Sequence, residues 1–193
     1  SIVHKALTSD SHSAFAWSNL ALAVDDKNDK QHLASVGFIH GWFIAHWLQP
    51  INELLPLANT SANAGFVTGD ILFACFNLSL SVILKAVSGQ PLESLVKEVD
   101  TNLKRNNQSV ITAAFHLVHE KQVAKAFQGK TDGFTSLSNN SIDEGKDIAS
   151  ICDTDMHNQI GYYYISKLKL HVHYGNWKSA ILWAEKASQI LMA

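Results

Sequence analysis

Residues 156–191, MHNQIGYYYISKLKLHVHYGNWKSAILWAEKASQIL, decide the fold. The first half reads as a long aromatic helix and the second half as an amphipathic helix, because apolar residues recur at helical spacing in both. Gly175-Asn176 lies between them, and these residue types end helices and form tight turns. The segment therefore predicts two helices joined by a short turn.

A turn phrase of this kind recurs along the chain, with Pro50, Pro91 and Trp177 at the same place in each copy. Pro50 and Pro91 lie 41 residues apart, and Pro91 and Trp177 lie 86 apart, close to two periods. The spacing predicts a degenerate copy near Gly133-Phe134. A period of about 40 residues that holds one helix pair is typical of a helical solenoid. The copies are LQPINELL (48–55), GQPLESLV (89–96) and GNWKSAIL (175–182).

The rest of the chain follows the same design. With only three prolines and ten glycines, many short strands are disfavoured and an all-α, TPR-like α-α superhelix of about seven or eight helices is predicted. Pro56 predicts a kink or a delayed start in the helix after Pro50. A short helix near Ile142 to Ala149 is expected in the polar segment. We interpret residues 1–193 as one helical-repeat domain: a partial first helix (1–28), repeats (29–128), an irregular degenerate repeat (129–154) and a C-terminal pair (155–193).

Composition excludes several classes of partner. Fifteen basic and seventeen acidic residues give a formal net charge of -2, so we expect neither a nucleic-acid partner nor an anionic membrane surface. The most apolar window, Ile71 to Val87, contains Asn77 and Lys85, and it is interpreted as a buried helix rather than a membrane span. The thiols of Cys75 and Cys152 are expected to be free.

The two ends of the sequence suggest a compartment and a context. Residues 1–15 lack the charged region, apolar core and cleavage site of a secretory signal. Residues 179–193 are still in helical register where the sequence stops. We therefore expect a cytoplasmic location and a fragment of a larger multidomain protein.

The phrase from Tyr174 to Ala187, YGNWKSAILWAEKA, resembles the second half of a tetratricopeptide repeat. Gly175 stands at the interhelix turn, and Ala180 and Ala187 occupy the small positions where the two helices approach closely. The preceding helix departs from that pattern, since Lys167, Leu168 and His171 stand where Leu, Gly and Tyr are usual. The resemblance therefore implies a TPR-like pair.

A longer stretch, roughly residues 31–187, resembles the helical-repeat region of very large multidomain signalling proteins. Those proteins carry a kinase-like module, a predicted ATPase module, and GAF and histidine-kinase modules. Three phrases of the family match in order: HWLQP (46–50), Leu55-Pro56 and Gly69-Asp70. The resemblance implies a connecting or sensing region in signal transduction, with a protein partner or flanking domains of the same chain.

Among the ten histidines, His116 and His119 in the phrase HLVHE share one helix face, where two imidazoles could hold a zinc ion. The order of the two histidines and the glutamate differs from that in the zinc-protease motif, and no third ligand is identifiable. We therefore assign no metal-ligating residue. His40 and His46, six residues apart on an apolar helix, are interpreted as core or groove residues.

No other motif points to chemistry. Gln128-Gly129-Lys130-Thr131 matches the end of a phosphate-binding loop, but Ala124 stands where its first glycine is required and no strand precedes it. No nucleophile motif occurs, so we expect no enzyme, no catalytic residue and no cofactor. The large aromatics are expected to pack in the core and between helices; they are Trp42, Trp47, Tyr162, Tyr163, Tyr164, Trp177 and Trp183.

Two functions remain open. The first is a non-catalytic interaction and spacer scaffold within a signalling protein, which would show an open groove lined by helices. The second is a small-molecule-sensing domain, in which His40, His46 and Asn77 would converge on a closed pocket between helices. The sequence leaves the oligomeric state undetermined.

Overall fold

The computed structural model describes residues 10–27, 29–107, 109–147 and 156–191. No strand is present in these residues, where an isolated bridge pairs Asn139 with Ile142. The predicted all-α class is confirmed. Eight α-helices lie wholly within the described residues: α1 (Ser11–Asp26), α2 (Leu33–Ile39), α3 (Ile51–Thr68), α4 (Ile71–Val87), α5 (Leu92–Asn106), α6 (Ile111–Phe127), α7 (His157–His173) and α8 (Trp177–Leu191).

Residue contacts divide the chain into two compact units. Unit 1 comprises Ser1–Gln90 and Thr101–Ala114, and unit 2 comprises Pro91–Asp100 and Phe115–Ala193. Helices α5 and α6 therefore each contribute residues to both units. The finer division of the chain into repeats stays a prediction.

Helices α1 and α2 are separated by a backbone reversal. Asp10 caps α1, since its Oδ1 accepts hydrogen bonds from the amides of His12 and Ser13 at 3.0 and 3.1 Å. After α1, Asp29 and Lys30 adopt left-handed φ values of 57° and 58°, which are incompatible with a helix. These two residues separate α1 from α2, which begins at Leu33.

The predicted helix before Pro50 changes geometry along its length. Beyond α2 it continues as a π-helical turn, His40–Ile44, and a 3-10 turn, Ala45–Trp47. A Cβ on Gly41, within the π-helical turn, would lie 2.9 Å from Leu80 Cδ2. The π-helical turn thus lies where the backbone approaches α4 closely.

Helices α3 and α4 form the central pair of unit 1. They are joined by Gly69, with φ of +83°, and Asp70, whose side chain accepts a hydrogen bond from the amide of Phe73 at 3.3 Å. Pro56 lies within α3, which starts at Ile51 without delay. The core packed around this pair consists of Ala45, Leu54, Ala58, Leu80 and Leu84.

Helix α4 is the buried helix that the apolar window predicts. Nine of its residues are buried, including Asn77 and three consecutive residues from Leu80 to Val82. Within the described part of the chain, no helix is long and apolar enough for a membrane crossing.

Three helices end in turns of the same form, at Gly89, Gly129 and Gly175. Each glycine has a left-handed φ, between +69° and +74°, and the next residue donates its amide back to the helix. These hydrogen bonds are the 6→1 bonds of a Schellman motif, which explains why each helix ends at a glycine. They are Gln90 N to Lys85 O (3.2 Å), Lys130 N to Lys125 O (2.8 Å) and Asn176 N to His171 O (2.8 Å). The turn at Gly129 lies four residues before Gly133, near which the period predicts a degenerate copy of the turn.

The segment after Gly129 is irregular, as its composition predicts. A helical turn starts at Glu144 and is described to Asp147, so the end of the predicted Ile142–Ala149 helix lies outside the described residues. Lys167 of α7 is buried and fastens this segment: its Nζ donates to Thr135 O at 2.5 Å and lies 2.9 Å from Glu144 Oε1.

Helices α7 and α8 pack as the predicted C-terminal pair of unit 2. Ala180 and Ala187 are both buried, and a Cβ on Gly161 would lie 3.4 Å from Ile190 Cγ2. Small side chains thus occur where the two helices meet. Ser179, by contrast, is partly buried, and its amide donates to Asn176 Oδ1 at 3.4 Å.

Candidate functional site

Helix α1 carries an apolar stripe that the fold leaves exposed. Trp17, Leu20 and Val24 follow at spacings of three and four residues, so they share one face of the helix. Their exposed fractions are 57%, 52% and 50%. Large apolar side chains exposed together on one face are typical of an interaction surface.

The stripe borders a groove of about 310 Å³. Its lining is mainly apolar, with polar groups supplied by Asp25 and His32. We call this surface the α1 groove, and it is built from α1 and from the start of the next helix. Its lining residues are Trp17, Leu20, Ala21, Val24, Asp25, His32 and Val36.

The groove exists because α1 buries a different face. Ala14 and Ser18 point into unit 1, and Ser18 Oγ lies 2.9 Å from Nδ1 of the buried His40 while it donates to Phe15 O. These small residues let α1 approach the rest of unit 1 closely. Because the small face is the one that packs, the large apolar side chains remain outside.

Asp25 is a buried carboxylate in the groove lining, with 4% of its surface exposed. Its Oδ1 accepts the amide of His32 at 2.8 Å, and its carbonyl accepts the amide of Lys30 at 3.1 Å. These two bonds hold the reversal after α1 in place. Oδ2 is buried and has no hydrogen-bond partner among the described residues.

The three residues of the predicted sensing pocket have different surroundings. His40 is buried beside Ser18, and burial lowers its pKa. Asn77 is buried and donates to the carbonyls of Ala34 and Phe73, both at 2.8 Å. His46 is exposed, with its ring against Trp47. His40 and Asn77 thus bond to neighbouring helices, where they stabilise packing.

His116 and His119 do lie close to one another, as the helical spacing predicts. They belong to a cluster in unit 2 with Tyr162, whose ring centroid is 4.6 Å from that of His116. Burial lowers the pKa of each histidine to about 4, so both are neutral at pH 7. Nδ1 of His119 lies 3.1 Å from Phe115 O. No group of three potential metal ligands occurs in the part of the chain that the structure describes.

A buried acid completes this cluster. Tyr162 donates its hydroxyl to Glu120 Oε1 at 2.5 Å, and Lys169 Nζ lies 3.4 Å from the same oxygen. Burial raises the pKa of Tyr162 well above its ordinary value, and the charge of Glu120 adds to the effect. The phenol therefore stays protonated and acts as a hydrogen-bond donor between α6 and α7.

The remaining candidates are the phosphate-loop phrase and the two cysteines. Lys130 is exposed in the turn after α6, so a helix precedes the phosphate-loop phrase where a strand is required. Cys75 is a buried free thiol whose pKa burial raises, which makes it unreactive. Cys152 lies outside the described residues.

The aromatic residues divide into two groups. Tyr163 is buried and Trp183 packs on it edge to face at 5.8 Å, in line with the predicted packing role. Trp47 and Trp177 are exposed at the surface. The expectation of core packing therefore does not hold for these two tryptophans.

Sequence reasoning missed the α1 groove altogether. The signal was present, since Trp17, Leu20 and Val24 already follow helical spacing between Ser11 and Asp26. Spacing alone cannot distinguish a face that packs inward from one that stays exposed.

Comparison of the chain with protein-family models, with curated protein sequences and with solved structures finds no significant match.

Proposed function

We propose that this chain is a non-catalytic, TPR-like helical-repeat module of a cytoplasmic signalling protein, and that it binds a protein partner through the α1 groove. The observation that carries the proposal is the exposed stripe of Trp17, Leu20 and Val24 beside an apolar groove of about 310 Å³. A partner helix can bury such a stripe by laying its own apolar face into the groove.

Repetition in the backbone supports the repeat part of the proposal. The glycine turns at 89, 129 and 175 share one hydrogen-bond pattern and follow each other at intervals of 40 and 46 residues. Helix pairs joined by short turns at such intervals are the building units of helical repeats. The burial of Ala180 and Ala187 fits the small positions of the tetratricopeptide pattern.

The geometry of the groove favours a helix over a compact small molecule. Along α1 the stripe extends from Trp17 to Val24, seven residues or about 10 Å of helix. The groove is open along this length, whereas small-molecule pockets enclose most of their ligand. Apolar anchors on successive turns of a partner helix match this shape.

The test is a pair of substitutions of one residue type in unit 1. A phage-displayed library of 16-residue helical peptides is selected on the whole chain, and the affinity of the best peptide is measured by fluorescence anisotropy. Val24→Gln, in the groove, should weaken binding at least tenfold. Val67→Gln, on α3 and 87% exposed, should change it less than twofold.

Two results would overturn the proposal. One is a library that yields no binding peptide. The other is equal affinity of the Val24 and Val67 variants for the selected peptide, which would place binding outside the groove.

A further inference from the structure

The loop of residues 128–143, between α6 and the helical turn at Glu144, is long for a segment without helix or strand. Irregular segments of more than about 12–15 residues are uncommon in compact domains, and they are usually functional unless they are disordered. This loop is fixed to the helices of unit 2 by buried polar side chains. Lys167 of α7 pairs with Glu144 at 2.9 Å, and Gln122 of α6 accepts a hydrogen bond from Asn139 Nδ2 at 3.3 Å. These contacts define the conformation of the loop.

A polar pocket of about 340 Å³ lies against this loop. Its volume falls in the range of small-molecule sites, about 300–1,000 Å³. One part of its wall is the turn in which Asn139 Oδ1 accepts the amides of Ser141 and Ile142, at 2.9 and 3.1 Å. The amide of Asp132 donates to Ser138 O at 2.9 Å and joins that turn to the chain that follows α6. We call this surface the loop pocket, and its lining residues are Lys130, Thr131, Asp132, Asn139, Asn140 and Ser141.

Four side chains of the loop pocket have unused hydrogen-bonding capacity. Thr131 donates its hydroxyl to Gly133 O, and the side chain of Asn139 bonds to the turn and to α6. Within the part of the chain that the structure describes, no hydrogen bond or ion pair engages the other four side chains, which are Lys130, Asp132, Asn140 and Ser141. The opposite charges at 130 and 132 therefore both face a ligand rather than each other.

The two charges disfavour the simplest ligands. A phosphate-like anion attracted by Lys130 would be repelled by Asp132, although Lys130 belongs to the phosphate-loop phrase of the sequence. A metal cation attracted by Asp132 would be repelled by Lys130. An apolar molecule would displace water from the polar lining without replacing its hydrogen bonds, which is unfavourable. A suitable ligand offers several donors and acceptors and carries no net charge.

We infer that the loop pocket binds a neutral sugar, with hydroxyl groups that donate to Asp132 and accept from Lys130. The side chains of Asn140 and Ser141 each donate and accept, as sugar hydroxyls do. Hydrogen bonds with one ionised partner are about twice as strong as neutral ones. A neutral sugar brings no charge of its own that must lose its water. A zwitterion such as an amino acid would rely on exposed ion pairs, which contribute little in water.

The site is separate from the α1 groove. The lining of the groove belongs to unit 1, and the lining of the loop pocket belongs to unit 2. Loss of sugar binding would therefore leave the proposed docking of a partner helix untouched, and the two can fail independently.

The experiment is a titration of the isotopically labelled whole chain with single sugars, followed by NMR of the backbone amides. The panel consists of glucose, galactose, mannose and N-acetylglucosamine. At least one sugar should give saturable shifts that are largest at residues 130–132 and 139–141. Asp132→Asn, which removes the charge and keeps the size, should weaken binding of that sugar at least tenfold. Glu185→Gln, which also turns an acid into its amide but at an exposed position of α8, should change it less than twofold.

A second pair of variants tests the cationic side of the loop pocket. Lys130→Met keeps the aliphatic stem and removes the charge, and it should weaken binding of the same sugar at least threefold. Lys178→Met, at an exposed position of α8, should leave it unchanged. A melting curve by circular dichroism checks that each variant is folded, and if Asp132→Asn does not fold, the comparison of Lys130→Met with Lys178→Met decides.

Three results would overturn the inference. The first is the absence of saturable shifts at residues 130–132 and 139–141 with every sugar of the panel. The second is equal affinity of the pocket variants and their controls for the sugar. The third is tighter binding at these amides of inorganic phosphate, calcium or the amino acid glycine, each titrated alone, which would assign the loop pocket to a charged ligand.

Discussion

The substitution Gly65→Ala tests how closely three helices of unit 1 approach each other. A Cβ at this position of α3 would lie 2.8 Å from the carbonyl oxygen of Asp70 and 2.9 Å from the Cβ atoms of both Ala34 and Ala74. None of these atoms belongs to a flexible side chain that can move aside. The methyl group can therefore be accommodated only if the helices shift apart.

Two opposing terms set the size of the effect. Overpacking of a close-packed interior costs about 1–3 kcal/mol, and three rigid contacts under 3 Å place Gly65→Ala in the upper part of that range. Alanine is better than glycine in a helix interior by about 1 kcal/mol. We expect a net loss of about 1–2 kcal/mol in the free energy of unfolding.

Gly161→Ala is the matched control, since it makes the same change inside α7. There a Cβ would meet only Ile190 Cγ2, at the ordinary contact distance of 3.4 Å. Without a clash the helix propensity dominates, and we expect a gain of about 0.5–1 kcal/mol. The two variants should therefore change stability in opposite directions.

The measurement is urea denaturation followed by circular dichroism, with hydrogen exchange to locate the change. Gly65→Ala should lower the urea midpoint and speed exchange in α3 and α4, and Gly161→Ala should raise the midpoint. If both variants stabilise the chain, the three helices do not approach as described and the reasoning is wrong.

Two further predictions concern unit 2. Ala180→Leu should destabilise the chain by about 1–3 kcal/mol and speed hydrogen exchange in α7 and α8, because Ala180 is buried between them. Ala184→Leu, at an exposed position of the same helix, should change stability by less than about 0.5 kcal/mol. Equal effects of the two substitutions would contradict the assigned helix face. The second prediction concerns pH. Because burial lowers the pKa values of His116 and His119 to about 4, the unfolded chain takes up protons between pH 6.5 and 4 that the folded chain does not, so stability should fall as pH decreases through this range. From pH 7 to pH 5 the free energy of unfolding should fall by about 2 kcal/mol for each histidine, as measured from urea midpoints. His119→Gln should make this decrease with pH less steep. An unchanged slope would show that this histidine does not titrate as described.

Local signals in the sequence determined where the helices begin and end. Proline fixes φ and glycine permits the left-handed conformation, so breaks before Ile51, after Val87 and at Gly175 can be located without knowledge of the fold. The apolar periodicity that predicted α4 and the C-terminal pair is likewise a property of neighbouring residues. Before α6, the side chain of Asn106 accepts a hydrogen bond from the amide of Val110 and donates one to its carbonyl, both at 3.0 Å, and α6 begins at Ile111.

Only the tertiary structure decided which face of each helix is buried. From composition, the side of α1 that carries Trp17, Leu20 and Val24 is the natural core face, yet the side with Ala14 and Ser18 packs inward. Small side chains allow a close approach, and the bond between Ser18 and His40 joins residues 22 positions apart. The α1 groove and the buried carboxylate in its lining exist because this side of α1 packs inward. No pattern along the sequence predicts which side packs inward, because that depends on the surfaces that distant segments bring together.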